Sequence, residues 1–252
     1  MLFQKPKLKN FWLYILVFTV NLFAQTAQSQ DSNASFHSFT EQFNKSFALY
    51  REAASYIRTE NLDIAAIQLE ELIADFKTLR ENFKGMPPAP YDSNSNFDSD
   101  LENLSKNLDE SLLAIDRGDQ DAAWALVSKI RKEVYAFQTQ SGIYNLATCV
   151  YDLNSAMDLL WPYFNNGFDI ENEGTRNTIL TLNAGVAVWV RHCKAIAPMN
   201  VRQSEEFARL FDNYLASKIT IRESMEARDT GRFVRIMGEI RSLDRLIYLR
   251  FG

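Results

Sequence analysis

The sequence predicts an all-α fold: two tandem antiparallel four-helix bundles after an N-terminal signal peptide. Apolar residues recur every three or four positions in eight separate stretches, which is the spacing of a single buried helix face. The second half of the chain repeats the plan of the first, and no stretch alternates apolar and polar residues for long enough to indicate a strand. The predicted boundaries are 1–30 for the signal peptide and a short linker, 31–142 for the first bundle and 143–252 for the second.

Short segments recur about 110 positions along the 252-residue chain. Ser46–Tyr50 corresponds to Ala156–Leu160, and Lys84–Pro88 corresponds to Lys194–Pro198, both at a separation of 110 residues. Asp116–Gly118 corresponds to Asp229–Gly231 at a separation of 113. A solenoid repeat has a period of roughly 20–50 residues. A period of about 110 matches one small domain, which predicts a fused pair of similar units.

The N-terminus is typical of a secretory signal peptide. Three lysines precede the apolar run 11–20, and small and polar residues follow it, so cleavage is expected after Ala24, Ala27 or Ser29. The run is too short to span a membrane, which takes roughly 20 apolar residues. We expect a periplasmic or secreted protein with no stable membrane span after cleavage; retention as an uncleaved anchor is the alternative.

The charge balance argues against nucleic acid as a partner. The chain carries 27 Lys and Arg against 32 Asp and Glu, a net charge of −5. Residues 31–142 have 11 basic and 19 acidic side chains, whereas residues 143–252 have 13 of each. Neither half has the basic excess that a phosphate backbone attracts.

In the first half, four helical stripes are separated by turn residues. The interruptions are Thr59–Asn61, the proline-rich segment Gly85–Pro90, Gly118 and Ser141–Gly142. Proline lacks an amide proton and disfavours helix in the residue before it, so Gly85–Pro90 must be a connection. Asp119 or Asp121 is expected to cap the fourth helix.

The second half follows the same order. Its first stripe runs from Leu146 to Phe164 and is expected to end at Asn165–Gly167, and its second ends at Pro198. The third and fourth stripes begin near Phe207 and Phe233. The short turns within each pair of helices favour antiparallel neighbours.

This order of helices and turns resembles the cytochrome c-prime and soluble b-type cytochrome four-helix bundles. The residues that carry the resemblance are Phe76–Pro88 with its Met-Pro-Pro exit, Leu112–Tyr135, and in the second half Ala227, Gly231, Ile240, Arg245 and Tyr248. Together the two units cover nearly all of the chain after the signal. The resemblance implies a bundle fold in which haem would be held by the first and fourth helices.

The haem ligands that this resemblance implies are missing from the sequence. There is no Cys-x-x-Cys-His motif, and the residues after Tyr135 and Tyr248 are Ala136 and Leu249 instead of histidine. Met157 is the nearest methionine on a first helix, and it has no predicted partner on the fourth. Tyrosine can ligate haem iron, but packing within the bundle is the preferred interpretation for Tyr135 and Tyr248. We therefore assign no catalytic, cofactor-binding or metal-binding residue.

The two cysteines, Cys149 and Cys193, are predicted to form a disulfide. They lie on consecutive helices at nearly the same level of the hairpin, since helices rise roughly 1.5 Å per residue. At the 110-residue offset they correspond to Phe39 and Phe83, which should likewise face each other. An oxidising compartment favours the bond. A redox-active or metal-binding cluster of both cysteines with His192 is the alternative.

Two sets of residues allow more than one interpretation. Trp124, Trp161 and Trp189 are interpreted as packing residues, with a ligand pocket as the alternative. Arginines recur on one side of the last helix, at positions 228, 232 and 235, with 241 and 245 beyond. They can face solvent, the acidic first half or an anionic partner.

The sequence favours a non-catalytic binding or interaction module that has the shape of the haem bundles without their ligands. Its partner, a protein or a small ligand, is not identified by any motif. A haem-binding electron carrier with atypical ligation is the alternative function. An enzyme is disfavoured because no nucleophile–histidine pair or glycine-rich phosphate loop is present.

Overall fold

The computed structural model describes residues 9–252, with side chains from Ala34 onward, and is all-helical over that range. The helices are α1 Lys9–Arg58, α2 Leu62–Phe83, α3 Phe97–Asp116, α4 Gln120–Gln140, α5 Leu146–Asp158, α6 Trp161–Asn165, α7 Glu173–Ile196, α8 Met199–Arg202, α9 Glu205–Glu226 and α10 Thr230–Phe251. A 3₁₀ turn, Tyr91–Ser93, lies between α2 and α3. The predicted signal peptide and its cleavage positions fall outside the residues whose side chains are described.

The helix boundaries in the first half are those that the turn residues predict. The break at Thr59–Asn61 is confirmed, because α1 ends at Arg58 and α2 begins at Leu62. Asp119 is the cap of α4: its carboxylate accepts a hydrogen bond from the backbone N–H of Ala122 at 3.0 Å. Such a bond satisfies one of the backbone donors left free at the start of a helix.

The turn before α10 corresponds to the turn before α4 at a separation of 110, not the 113 predicted from the Asp-x-Gly pattern. Asp229 caps α10 by accepting from the N–H of Arg232, as Asp119 caps α4. The residue before each cap has a positive φ, +69° at Gly118 and +54° at Arg228. The prediction was wrong because it aligned glycine with glycine, whereas the left-handed position holds arginine in the second half.

The first predicted stripe of the second half is two helices instead of one. The long helix α5 ends at Asp158, and the short helix α6 begins at Trp161. Pro162 lies at the start of α6 and cannot donate to the preceding turn, so the backbone ladder breaks there. Pro198 has the same effect after α7, where it precedes the single turn of α8.

Two groups of helices enclose two separate hydrophobic cores. In the first half α1 contacts α2, α2 contacts α3, α3 contacts α4, and α4 closes the ring on α1. In the second half α5, α7, α9 and α10 contact one another in the same cyclic order. The first core is rich in aromatic side chains, and the second mixes aliphatic, aromatic and sulfur-containing ones.

Cys149 on α5 and Cys193 on α7 lie at disulfide distance, with their sulfurs 2.08 Å apart and both side chains fully buried. The corresponding residues of the first half, Phe39 and Phe83, meet edge to face with ring centroids 5.1 Å apart. The prediction that these two phenylalanines face each other is confirmed. A covalent bond therefore occupies the place in the second half that an aromatic pair occupies in the first.

The two halves touch along two seams, α1 against α10 and α4 against α5. At the first seam Arg51 donates to the backbone oxygens of Leu249 and Gly252, at 3.0 and 2.7 Å. Residues from both seams line the candidate site. Within the described range no helix is long and apolar enough to cross a membrane.

The disulfide is expected to stabilise the second half substantially. It closes a loop across a sequence separation of 44, so the chain-entropy model gives about 3–4 kcal/mol. The double variant Cys149→Ala/Cys193→Ala should lose about that much free energy of unfolding in a urea titration. Reductant should lower wild-type stability and leave the double variant unchanged. Alkylation of two thiols in denatured, unreduced protein purified from an oxidising compartment would contradict the bond.

Candidate functional site

Arg131 lies at the centre of the contact between the two halves. Its guanidinium is 4.1 Å from the ring centroid of Tyr248 on α10 and 5.2 Å from that of Tyr151 on α5. The ring of Tyr135 stacks on that of Tyr151, with centroids 4.1 Å apart. A guanidinium between two aromatic faces gains cation–π and stacking energy from both. One residue of α4 thereby joins two helices of the second half.

A chain of hydrogen bonds runs from Arg131 into the second core. Arg131 donates to the side-chain oxygen of Asn154, whose amide donates to Asp244 Oδ1 at 2.6 Å. The hydroxyl of Tyr214 donates to the same oxygen at 3.0 Å. Burial raises the pKa of Asp244, and these bonds and the nearby cations partly oppose the increase.

A lysine lies at the inner end of this cluster. Lys218 on α9 is only 4% exposed, and its ammonium is 3.4 Å from Met157 Sδ and 4.6 Å from the centre of the Tyr214 ring. Burial lowers the pKa of Lys218 to about 7, although the negative charge of Asp244 partly opposes the shift. The second core therefore contains an amine and a carboxylate, whereas Leu108 and Val134 are found at the positions 110 residues earlier.

Three adjoining cavities of about 290, 350 and 260 Å³ lie between α1, α4, α5, α6 and α10, and all three are lined by Arg58 and Arg245. We call them together the junction cleft. The 290 Å³ inner chamber reaches Asn154, Asp158 and Asp244. The 350 Å³ apolar chamber is lined by Ala54, Trp124, Leu246, Tyr248 and Leu249, among others. The 260 Å³ cationic chamber is lined by Arg58, Trp161, Asn165, Arg241, Asp244 and Arg245.

The junction cleft is cationic although the protein is acidic overall. Its walls carry four arginines and two aspartates, while the whole chain has a net charge of −5. None of the ion pairs between described residues includes Arg58, Arg241 or Arg245. Burial, and then the charges of Arg245 and Arg241, lower the pKa of Arg58. The free cleft therefore holds like charges close together without carboxylate partners in salt-bridge contact.

The residues considered as haem ligands from the sequence have other contacts. The hydroxyl of Tyr135 donates to Asp152 Oδ1 at 2.8 Å, and this bond raises the pKa of Tyr135 to about 12. The ring of Tyr248 covers Arg131. Met157 is fully buried, with its sulfur facing Lys218. The structure does not bring these three side chains to one point.

The alternative cluster of cysteines and histidine is not assembled either. His192 is exposed and lies between the rings of Tyr144 and Trp189, at 5.8 and 5.9 Å, whereas the cysteines are buried and bonded to each other. Among the described residues no group of three or more His, Cys, Asp or Glu side chains could hold a metal ion.

Four of the five arginines predicted on one side of the last helix divide into two sets, and one of the four, Arg228, lies in the turn before α10. Arg228 and Arg232 form ion pairs with Glu171 and Glu223, at 2.9 and 2.5 Å. Arg241 and Arg245 instead line the junction cleft. Trp124, interpreted from the sequence as a packing residue, is 41% exposed in the apolar chamber.

Sequence reasoning missed Arg58, Asn154, Lys218 and Asp244 as a group. A signal for two of them was present in the repeat. At the uniform separation of 110, Lys218 and Asp244 are charged residues at positions where the first half has Leu108 and Val134. Charged residues that replace apolar core residues in one copy of a repeat indicate a buried polar site.

Comparison of the chain with protein-family models, curated proteins and solved structures finds no significant match.

The buried amine should make stability depend on pH. Between the folded pKa of about 7 and the unfolded value of 10.5, the unfolded chain holds a proton on Lys218 that the folded protein lacks. Lys218 therefore destabilises the fold at neutral pH. This destabilisation decreases by on the order of 3–5 kcal/mol as the pH rises from the folded to the unfolded pKa. In urea titrations, the increase in free energy of unfolding that Lys218→Met causes should therefore be larger at pH 7 than at pH 9.5. The exposed Lys132→Met is the control and should show no such change; a constant difference for Lys218→Met would contradict the shifted pKa.

Arg131 should stabilise the contact between the halves through its planar guanidinium and not through charge alone. Arg131→Lys keeps the charge but loses the stacked plane and its hydrogen-bond geometry, which should cost about 1–3 kcal/mol. Because the lost contacts join the two halves, calorimetry should show two separated unfolding transitions in place of a single one. Arg117→Lys, at an exposed position after α3, is the matched control. Equal effects of the two substitutions would show that Arg131 is not the link.

Proposed function

We propose that this chain is an extracytoplasmic, non-catalytic binding protein built as two tandem four-helix bundles, and that the junction cleft holds its ligand. The observation that carries the proposal is the cleft itself. It opens between helices of both halves, whereas the cores on either side are filled by packed side chains. Ligand sites in helical proteins commonly form between helices, where apolar walls and a few polar groups converge.

The duplicated architecture is supported by three correspondences at one separation. The capping aspartates, the positive-φ residues before them, and the facing pairs at positions 39 and 83 and at 149 and 193 all correspond at 110 residues. A relationship to the cytochrome c-prime bundles remains part of the proposal. It is supported only by the order of helices and turns.

An extracytoplasmic location is supported by two features of different kind. The sequence pattern before residue 30 is typical of an export signal. The bonded cysteines suit an oxidising compartment, since disulfides persist outside the reducing cytosol.

Native mass spectrometry tests the binding function directly. After incubation with a small-molecule extract of its own host, wild-type protein should carry about one small ligand per chain. Trp124→Ala should weaken this binding about tenfold or more, because a half-exposed aromatic wall supplies much of the contact area. Trp189→Ala, on α7 away from the cleft, is the matched control. A wild-type protein without any bound species, or equal loss in both variants, would overturn the proposal.

The same preparation tests the haem alternative. The proposal expects no Soret absorption before or after addition of haem. A Soret band that disappears in Tyr135→Phe or Tyr248→Phe would establish the alternative function instead.

A further inference from the structure

The cationic chamber of the junction cleft brings three arginines from two helices to one cavity. Arg58 is in the last turn of α1, and Arg241 and Arg245 are one helical turn apart on α10. No described ion pair includes any of them. Guanidinium groups bind carboxylate, sulfonate and phosphate through paired hydrogen bonds, so these three side chains offer donors for such a group.

Asp244 does not act as the anionic acceptor for these three arginines. Its Oδ1 accepts hydrogen bonds from Asn154 and Tyr214, which draw it toward the second core. The same aspartate lines the cationic chamber but makes no contact with an arginine close enough to be an ion pair. The charge of Asp244 opposes the mutual repulsion of the arginines only in part, so an anion that enters from outside relieves it further.

The apolar chamber begins where the cationic chamber ends. Both are lined by Arg58 and Arg245, so a molecule bound by these two side chains can contact both chambers. Trp124 and Leu246, 41% and 39% exposed, leave apolar surface open in the chamber of about 350 Å³. Covering such surface is favourable by roughly 25 cal/mol per Å² of apolar area removed from water.

The inner chamber limits how much negative charge the ligand can carry. Asp158 and Asp244 lie there, and burial raises the pKa of Asp158 as it does that of Asp244. Arg131, which also lines this chamber, already donates to Asn154, and Arg58 and Arg245 are shared with the other two chambers. A second anionic group extending into this chamber would meet both carboxylates there. The favourable ligand therefore has a single anionic group and an apolar body that lies toward Trp124.

We propose that the junction cleft binds a small amphiphilic anion, with its carboxylate, sulfonate or phosphate group on Arg58, Arg241 and Arg245 and its apolar body against Trp124 and Leu246. This inference rests on the proposed binding function and gives the chemical class of the ligand. The 350 Å³ chamber holds one flat or single-chain body, and not the two acyl chains of a membrane phospholipid.

A pair of fluorescent probes separates the anionic group from the apolar body. 8-Anilino-1-naphthalenesulfonate and N-phenyl-1-naphthylamine share the same ring system, and only the first carries a sulfonate. Wild-type protein should bind the sulfonate with a dissociation constant about tenfold or more below that of the neutral probe. Arg58→Gln and Arg245→Gln should each weaken the sulfonate about fivefold or more and leave the neutral probe unchanged.

Two controls keep the test decisive. Arg191→Gln removes the same charge from the exposed side of α7 and should change neither probe. Arg58 ends a helix, so its variant can lose stability for an unrelated reason; Arg245 is exposed in the middle of α10, where glutamine is an equally good helix former. Thermal unfolding of each variant, followed by circular dichroism, verifies that the fold is kept.

The outcomes distinguish this inference from the proposed function. Equal affinity for both probes, lost in Trp124→Ala, would overturn the anionic class and leave the binding function standing. Failure of both probes to bind wild-type protein would overturn the anionic class, and the native mass spectrometry experiment would then decide the binding function alone. Co-sedimentation with phosphatidylglycerol vesicles that disappears in Arg245→Gln would identify a membrane lipid and overturn the small ligand.

Discussion

The arrangement of the two halves depends on the guanidinium of Arg131 between the rings of Tyr151 and Tyr248. The halves have separate cores and meet along narrow seams, so few apolar side chains are shared between them. A planar cation between two aromatic faces provides attraction and a defined geometry at such a seam. Because Arg131 also lines the inner chamber, the residue that joins the halves fixes one wall of the junction cleft.

The two halves fill corresponding positions of their cores with different kinds of side chain. At one level of the first half, Phe39 and Phe83 fill the space with aromatic rings; in the second half, a disulfide occupies it. A disulfide is smaller than two phenyl rings, yet it restricts the unfolded chain, so the second core can hold polar groups and still be stable. The buried Lys218 and Asp244, in place of leucine and valine, are the polar groups that the second core holds.

The sequence predicted those parts of the fold that depend on local chemistry. Turn residues at Thr59–Asn61, the cap at Asp119 and the facing pair of Phe39 and Phe83 are each determined by spacing along the chain or by the repeat. The break before Pro162 was missed because the apolar period continues across it, although the backbone hydrogen bonding does not. The site was missed for a different reason. Periodicity reports which face of a helix is buried, but not which helices of two units meet, and the cleft is lined by residues of five helices from both halves.

The cationic character of the cleft reflects how the acidic side chains are used. The chain has 32 Asp and Glu residues, enough to pair with every arginine. Arg228, in the turn before α10, and Arg232, in the first turn of α10, do pair with glutamates. Farther along α10, no described ion pair includes Arg235, Arg241 or Arg245. The carboxylate that lines the cationic chamber, Asp244, accepts hydrogen bonds from Tyr214 and Asn154. An anion that enters the cleft gains its own contacts and also removes the repulsion among the arginines. Occupancy of the cleft and stability of the fold are thereby coupled through the same charges.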